Sequence, residues 1–212
     1  MAIDSGRRPR DVVAVIDDSP MARDMICAMV EPLDVETVTY AGAREFLADP
    51  HCRRADCLLL DLHMPGMNGA DLQQVLSDQQ WQVPIIFITG EGAVRSAVDA
   101  MQRGALHFLQ KPLRVPELLD WVRRALELAR RQRDGQRRRA ALLERFELLT
   151  PREREVLQLL TQGARSKDIA QRLGIGVKTV ETYRATLLAK TLARNTVELV
   201  RLAVDVGLHQ GL

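Results

Sequence analysis

Short apolar runs alternate with longer amphipathic stretches from about residue 10 to residue 130. Each stretch between two runs is long enough for a helix, and this alternation predicts a parallel sheet covered by helices on both faces. Ser19-Pro20 predicts the start of a helix, and Gly104 predicts the end of a helix over residues 94–103. The runs predicted as strands are Val12–Ile16, Val35–Tyr40, Cys57–Leu60, Ile85–Thr89 and Ala105–Gln110.

The C-terminal third of the chain has a different pattern, that of four short helices. Thr150-Pro151-Arg152-Glu153 combines a capping box with proline at the first helical position. Gly174-Ile175-Gly176 predicts a tight turn between two helices, which is the helix-turn-helix arrangement. Asn195, followed by Glu198 three residues later, predicts the start of the last helix.

A third helical pattern connects these two regions. It starts at Pro116-Glu117 and runs into a charged stretch over residues 130–139, where Gly135 weakens the helix. The arginines there could contact DNA phosphates, although a solvated helix face is the commoner explanation, and a short coiled-coil contact between protomers is a third alternative. We therefore predict a domain at 10–124, a helical linker at 125–147 and a second domain at 148–212.

Composition excludes several classes of protein. The chain has 212 residues and 46% apolar residues, which is ordinary for a globular protein with one or two domains. No apolar stretch approaches the roughly 18 residues of a membrane span, and the first ten residues lack the apolar segment of a secretory signal. Three cysteines without metal-ligand spacing are typical of reduced thiols. We expect a cytoplasmic protein without membrane attachment.

Charge separates the two ends of the chain. Residues 1–122 carry 11 basic and 18 acidic side chains, whereas residues 123–212 carry 19 basic and 10 acidic ones. The net charge of +2 hides this difference. The acidic N-terminal part indicates a cation-binding half, and the basic C-terminal part indicates a polyanion-binding half.

Chemically useful side chains follow four of the predicted strands. They are Asp17 and Asp18, then Asp61, then Thr89, then Lys111. Each alone is weak evidence, because Asp often forms turns or caps and Thr often ends strands. In an open parallel sheet, however, the carboxyl ends of the strands meet at one edge, where ligands bind. We therefore expect these five residues to converge.

The predicted convergence suits phosphoryl transfer to a carboxylate. Hard carboxylate oxygens are preferred ligands of Mg²⁺, which would neutralise the acids and the incoming phosphoryl oxygens. A lysine adds positive charge and a threonine hydroxyl can bond a phosphoryl oxygen. An aspartate can act as the covalent acceptor.

The front half resembles the receiver domain of two-component response regulators over residues 10 to about 130. The resemblance rests on the Asp17-Asp18 pair, on Asp61 within LLLDLHMPGMNG, on ITG ending at Gly90 and on LQKP ending at Pro112. It implies a doubly wound five-stranded sheet of flavodoxin-like order. It also implies the following roles: Asp61 as phosphoacceptor, Asp17, Asp18, Asp61 and the backbone carbonyl of His63 as Mg²⁺ ligands, Thr89 and Lys111 as phosphoryl-binding residues, and Phe108 as the switch aromatic.

Two further residues lie where the family controls phosphate loss. His63 is two residues after Asp61, and its side chain is expected at the rim, with the backbone facing the metal. Glu91 is two residues after Thr89. We hypothesise that His63 and Glu91 set the lifetime of the phosphorylated form.

The back half closely resembles LuxR-type helix-turn-helix domains over residues 149–207. A helix fits the major groove, and the helix starting near Val177 leaves Lys178, Glu181, Thr182 and Arg184 to face outward toward bases or phosphates. Lys167 and Lys190 are predicted phosphate contacts. Taken without the resemblance, the pattern also fits a solvated amphipathic hairpin. Departures from the family pattern are Gly176 in place of Ser, Tyr183 in place of His, and Thr191-Leu192 in place of Leu-Gly.

Together these features resemble the FixJ/NarL class of response regulators. The implied function is a transcription regulator, not an enzyme, that receives a phosphoryl group from a histidine kinase, dimerises and binds promoter DNA. One alternative is a phosphorylation-independent DNA-binding protein whose receiver is only a scaffold. Another is a phosphohydrolase, but that class expects an Asp-x-Asp nucleophile arrangement that Asp17-Asp18-Ser19 does not supply.

Overall fold

The computed structural model of the protein describes residues 10–90, 98 and 100–208. The chain divides into two compact units, the first ending at Gln132 and the second beginning at Arg133. The predicted domain boundaries at residues 124 and 147 remain predictions, because the division between the two units falls between them.

Within the described residues, the first unit contains a five-stranded parallel sheet in the order β2-β1-β3-β4-β5. This is the doubly wound order that the resemblance implied. Strand β2 lies on one side of β1 and β3 on the other, and in such sheets ligands bind between the carboxyl ends of the two strands where the order reverses, here β1 and β3. The predicted strands are confirmed to within two residues at their ends. Their bounds are β1 Val12–Ile16, β2 Glu36–Tyr40, β3 Cys57–Asp61, β4 Ile85–Thr89 and β5 His107–Gln110.

Helices cover both faces of this sheet. Every residue of β1, β3 and β4 is buried, as expected for continuous apolar strands with helices on each side. One core lies around Phe46, Leu60 and Phe87, and the other around Ile26, Leu59 and Leu118. The helices of the unit are α1 Pro20–Val30, α2 Ala43–Ala48 and α3 Gly69–Asp78, followed by helical residues 98 and 100–102 and by the start of α4 Val115–Glu147.

The long helix α4 continues without a break through Gly135 and includes the predicted linker. This agrees with the predicted helical linker, because a single glycine costs only about 1 kcal/mol relative to alanine and the flanking residues are good helix formers. Within the first unit, Arg130 connects α4 to the residue that precedes β1. Its Nε lies 3.0 Å from Oδ2 of Asp11.

The second unit is a small helical domain, as predicted. Thr150 caps α5 through the predicted capping box with Glu153, and Gly174 ends α6 with φ +66°, a left-handed conformation that favours glycine. Val156, Val180 and Leu199 lie at the centre of its core. Its helices after α4 are α5 Pro151–Thr161, α6 Ser166–Leu173, α7 Val177–Thr191 and α8 Thr196–Asp205. Among the described residues, no helix is both long and apolar enough to cross a membrane.

Candidate functional site

The acidic residues predicted at the strand ends form one cluster. Asp17 and Asp18 follow β1, Asp61 is the last residue of β3, and one carboxylate oxygen of each lies within 4.8 Å of the others. The side chains of Asp17 and Asp61 are 1% and 10% exposed, whereas Asp18 is exposed. Two buried carboxylates at this distance repel each other and lose hydration, so the fold must supply a compensating charge.

Lys111, directly after β5, supplies that charge. Its Nζ lies 2.8 Å from Asp17 Oδ2 and 3.0 Å from Asp61 Oδ2, so a single ammonium bridges both buried acids. Burial lowers the pKa of Lys111, but the hydrogen bonds to Asp17 and Asp61 outweigh it and raise that pKa above its usual range. The lysine therefore stays charged. The peptide bond between Lys111 and Pro112 is cis.

Burial also governs Asp61 itself. It raises the pKa of Asp61, against the opposing effects of a backbone hydrogen bond from His63 and of Lys111, while the Asp17 charge raises it further. The amide of His63 donates to Asp61 Oδ1 at 3.1 Å, and the amide of Ser19 donates to Asp17 Oδ1 at 2.9 Å. The two acids are thus held by backbone as well as by Lys111. The His63 side chain is exposed, which agrees with its expected place at the rim.

Thr89 is the last residue of β4 and lies at this edge, whereas Phe108, the second residue of β5, lies further back along the sheet. Asp61 pairs with Ile88 in the sheet register, so Thr89 extends one residue further toward the crevice; it is 3% exposed. Phe108 in β5 pairs with Phe87 and packs, half-buried, on the first core. Glu91 lies outside the described residues. The predicted residues of the strand ends are therefore brought to one edge of the sheet.

Sequence reasoning missed Gly69, which decides how closely α3 approaches this site. A Cβ at Gly69 would lie 2.4 Å from the backbone oxygen of Asp61 and 3.0 Å from the Phe87 ring. The Gly69 amide donates to Leu62 O at 3.1 Å, and an Asn68–Asp71 capping box starts the helix. Only a residue without a side chain allows this contact. The glycine at the end of MPGMNG was the available signal.

The second candidate site is the exposed face of α7. Val180 and Leu187 point into the core, whereas Lys178, Glu181 and Thr182 are exposed near the start of the helix. Lys167 is exposed in the first turn of α6. The structure brings these four residues to the helix-turn-helix, as the sequence predicts.

Two other predicted DNA contacts have partners inside the domain. Lys190 Nζ lies 2.7 Å from Glu153 Oε2 and 3.2 Å from Leu148 O. The guanidinium of Arg184 bonds Ser166, Glu181 and Thr196. These contacts favour internal roles for both side chains, and their direct contact with DNA remains an untested prediction.

Glu153 explains the contact made by Lys190. It is the capping-box acid of α5, and its side chain is 7% exposed. Burial raises the pKa of Glu153, but hydrogen bonds from Lys190 and Thr150 outweigh this and lower it below its usual range. The lysine therefore stabilises a buried charge at the start of α5.

Comparison with known proteins places each of the two units in a family. Residues 13–123 match the response regulator receiver domain family, and residues 147–203 match the luxR family of bacterial regulatory proteins. The chain is 38% identical to nodulation protein W of Bradyrhizobium diazoefficiens over 93% of this chain and 87% of the relative. It is 34% identical to the transcriptional regulatory protein FixJ of Azorhizobium caulinodans over 92% of each. A solved structure of the response regulator StyR covers 92% of this chain and 99% of its own, with 34% identity and a TM-score of 0.79.

The chain therefore belongs to the two-component response regulators that combine a receiver domain with a LuxR-type DNA-binding domain. Proteins of this class are transcription regulators rather than enzymes, which removes the phosphohydrolase alternative.

Replacing Gly69 by alanine tests the contact between α3 and the end of β3. We expect the extra methyl group to displace the Asp61 backbone and to lower the free energy of unfolding of the first unit by about 1–3 kcal/mol. Chemical denaturation measures this. Gly42→Ala is the control, because a Cβ at Gly42 meets nothing within 4 Å. Equal stability of the two variants would show that the α3 contact is not tight.

Replacing Lys190 by alanine tests its internal role. The change leaves the Glu153 carboxylate buried without its ammonium partner, so we expect a loss of about 1–3 kcal/mol in the stability of the second unit at neutral pH. Because folding lowers the pKa of Glu153 below the usual range of a glutamate, the deficit should persist until the pH falls through that lowered pKa, where the carboxyl takes up a proton and the deficit shrinks. Lys178→Ala is the matched control, with an exposed ammonium, and a deficit as large in that variant would contradict the assignment.

Proposed function

We propose that Asp61 accepts a phosphoryl group from a partner histidine kinase and that the modification controls DNA binding by the second unit. The observation that carries the proposal is the ammonium of Lys111 bridging Asp17 and Asp61 within a cluster of three carboxylates. A lysine pinned between two acids can turn to a phosphoryl group on one of them without leaving the pocket. Its charge then offsets the new negative charge.

The donor set of the pocket fits Mg²⁺. Three carboxylates against one ammonium leave an excess of negative charge, and the oxygens of Asp17, Asp18 and Asp61 lie close enough to share one small cation. We propose these three, with the backbone carbonyl of His63, as the residues that would hold it. When bound, Mg²⁺ would supply the charge neutralisation that lets the phosphoryl oxygens approach the acidic edge.

Residues around Asp61 would transmit the effect of its phosphorylation to the surface of the first unit. The amide of His63 and the Lys111 ammonium orient the Asp61 oxygens for in-line attack. Once Asp61 is modified, Thr89 would move to bond the phosphoryl group and Phe108 would follow. We propose that this population shift favours dimerisation through the helix ending at Gly104 and strand β5. Dimerisation would place the second units of two protomers, here called the output domains, on two half-sites of the DNA.

For promoter recognition, we propose that α7 enters the major groove. Lys178, Glu181 and Thr182 lie on its exposed face, and Lys167 lies at the start of α6, where helix amides also favour phosphate. Neither Lys167 nor Lys178 forms an ion pair within the part of the chain that the structure describes, so both ammonium groups are available to phosphates. We propose a cytoplasmic location, where promoter DNA is accessible.

Phosphorylation is tested by incubating the full chain with a small-molecule phosphodonor and Mg²⁺. We expect intact-protein mass spectrometry to show one added phosphoryl group, and gel filtration to show a shift from monomer toward dimer. Asp61→Asn should lose both, because it removes the nucleophilic carboxylate. Asp24→Asn, which changes an exposed carboxylate on α1, should keep both.

The same experiment distinguishes the proposal from the alternative in which the receiver is only a scaffold and DNA binding does not depend on phosphorylation. Modification of Asp61→Asn, or unchanged oligomeric state and DNA affinity after phosphorylation of the wild type, would contradict the proposal. The second outcome would favour a DNA-binding protein that does not depend on phosphorylation.

A further inference from the structure

Arg184 joins three helices of the output domain. It lies in the middle of α7, and its Nη1 donates to Ser166 Oγ, in the first residue of α6, at 2.8 Å. Its Nη2 donates to Thr196 Oγ1, in the first residue of α8, also at 2.8 Å. Both hydroxyl groups belong to the first residues of helices, and the two hydrogen bonds restrict movement of the guanidinium toward DNA.

The same guanidinium holds a neighbouring acid on the exposed face of α7. Nη1 of Arg184 lies 3.0 Å from Oε1 and 3.3 Å from Oε2 of Glu181, one helical turn earlier. A hydrogen bond from Ser166 lowers the pKa of Glu181, and the Arg184 charge lowers it further. The Glu181 side chain nevertheless remains 52% exposed. It is therefore an ionised, anchored carboxylate that still faces solvent.

A glutamate on the DNA-binding face of α7 can discriminate between bases only if its side chain is held in place. A free glutamate on a DNA-binding face is repelled by phosphates and samples many rotamers, so it discriminates poorly between bases. Pairing with Arg184 offsets the charge and fixes the rotamer. A carboxylate has about four lone-pair positions, so those not used by Arg184 and Ser166 stay available to a donor on a base edge.

We propose that Arg184 is a positioning residue that holds the Glu181 carboxylate toward the major groove, and that this pair selects a cytosine at one base pair of the target site. Cytosine is the base that presents an amino donor to an acidic side chain in that groove. Arg184 acts through Glu181 and does not itself contact a base. The inference rests on the proposed reading of DNA by α7 and adds the base that this position prefers.

The test measures base preference rather than affinity alone. Full-length wild-type protein, with the phosphodonor and Mg²⁺ present, selects sites from a random double-stranded DNA library. Every single-base variant of the enriched site is then titrated with the wild type, Glu181→Ala, Arg184→Gln and the double variant. We expect the wild type to prefer cytosine at one position by about tenfold. Both single variants should lose that preference, the double variant should lose no more, and other positions should keep theirs.

Arg201→Ala is the matched control, since it removes an exposed positive charge from α8 without touching the pair. It should preserve the cytosine preference. The inference is overturned if Arg184→Gln keeps the preference, or if it weakens binding to all sites equally, as a purely structural residue would. Should Arg184→Gln fail to fold, Ser166→Ala decides: reduced discrimination at that base pair supports the inference, and unchanged discrimination overturns it.

Failure of the proposed function gives a different result. If the wild type enriches no sequence from the library, reading of DNA by α7 is wrong. If the wild type enriches a site but Glu181→Ala changes the preference at no position, only the role of the Glu181–Arg184 pair is wrong.

Discussion

The structure of the receiver depends on how two buried carboxylates are compensated at one edge of the sheet. Asp17 and Asp61 lose most of their hydration, and their repulsion would open the ends of β1 and β3 without a counter-charge. Lys111 supplies one ammonium for both, and backbone amides supply the remaining hydrogen bonds. Because this single ammonium faces three carboxylates, the cluster of Asp17, Asp18 and Asp61 keeps an excess of negative charge.

In the output domain, by contrast, the buried and half-buried charges have partners within the domain. Glu153 is matched by Lys190, and Arg184 is held by Ser166, Glu181 and Thr196. These contacts are local to the domain and connect the helices of the helix-turn-helix, while Lys167 and Lys178 are exposed and form no ion pair with any residue that the structure describes. The acidic edge of the receiver therefore keeps an excess of negative charge, whereas the buried carboxylate of Glu153 in the second unit has an ammonium partner.

Sequence reasoning recovered the sheet, the helical output domain and the acidic pocket, because apolar periodicity and strand-end residues depend on local rules. It did not find the role of Gly69, since the glycine in MPGMNG also fits an ordinary turn, and the sequence does not show that a Cβ there would lie 2.4 Å from the backbone oxygen of Asp61. It treated Arg184 and Lys190 as free cations for the same reason: helical spacing shows which residues point outward, but not that a long side chain folds back onto Ser166 or Glu153.

The central claim, that this acidic edge is a divalent-ion site built around a nucleophilic carboxylate, is tested most directly by calorimetric titration of the full chain with Mg²⁺. The account predicts one saturable site in the wild type and its loss in an Asp17→Asn, Asp18→Asn double variant that remains folded. An Asp24→Asn variant should bind as the wild type does. Absence of saturable binding in the wild type, or unchanged binding in the folded double variant, would contradict the account.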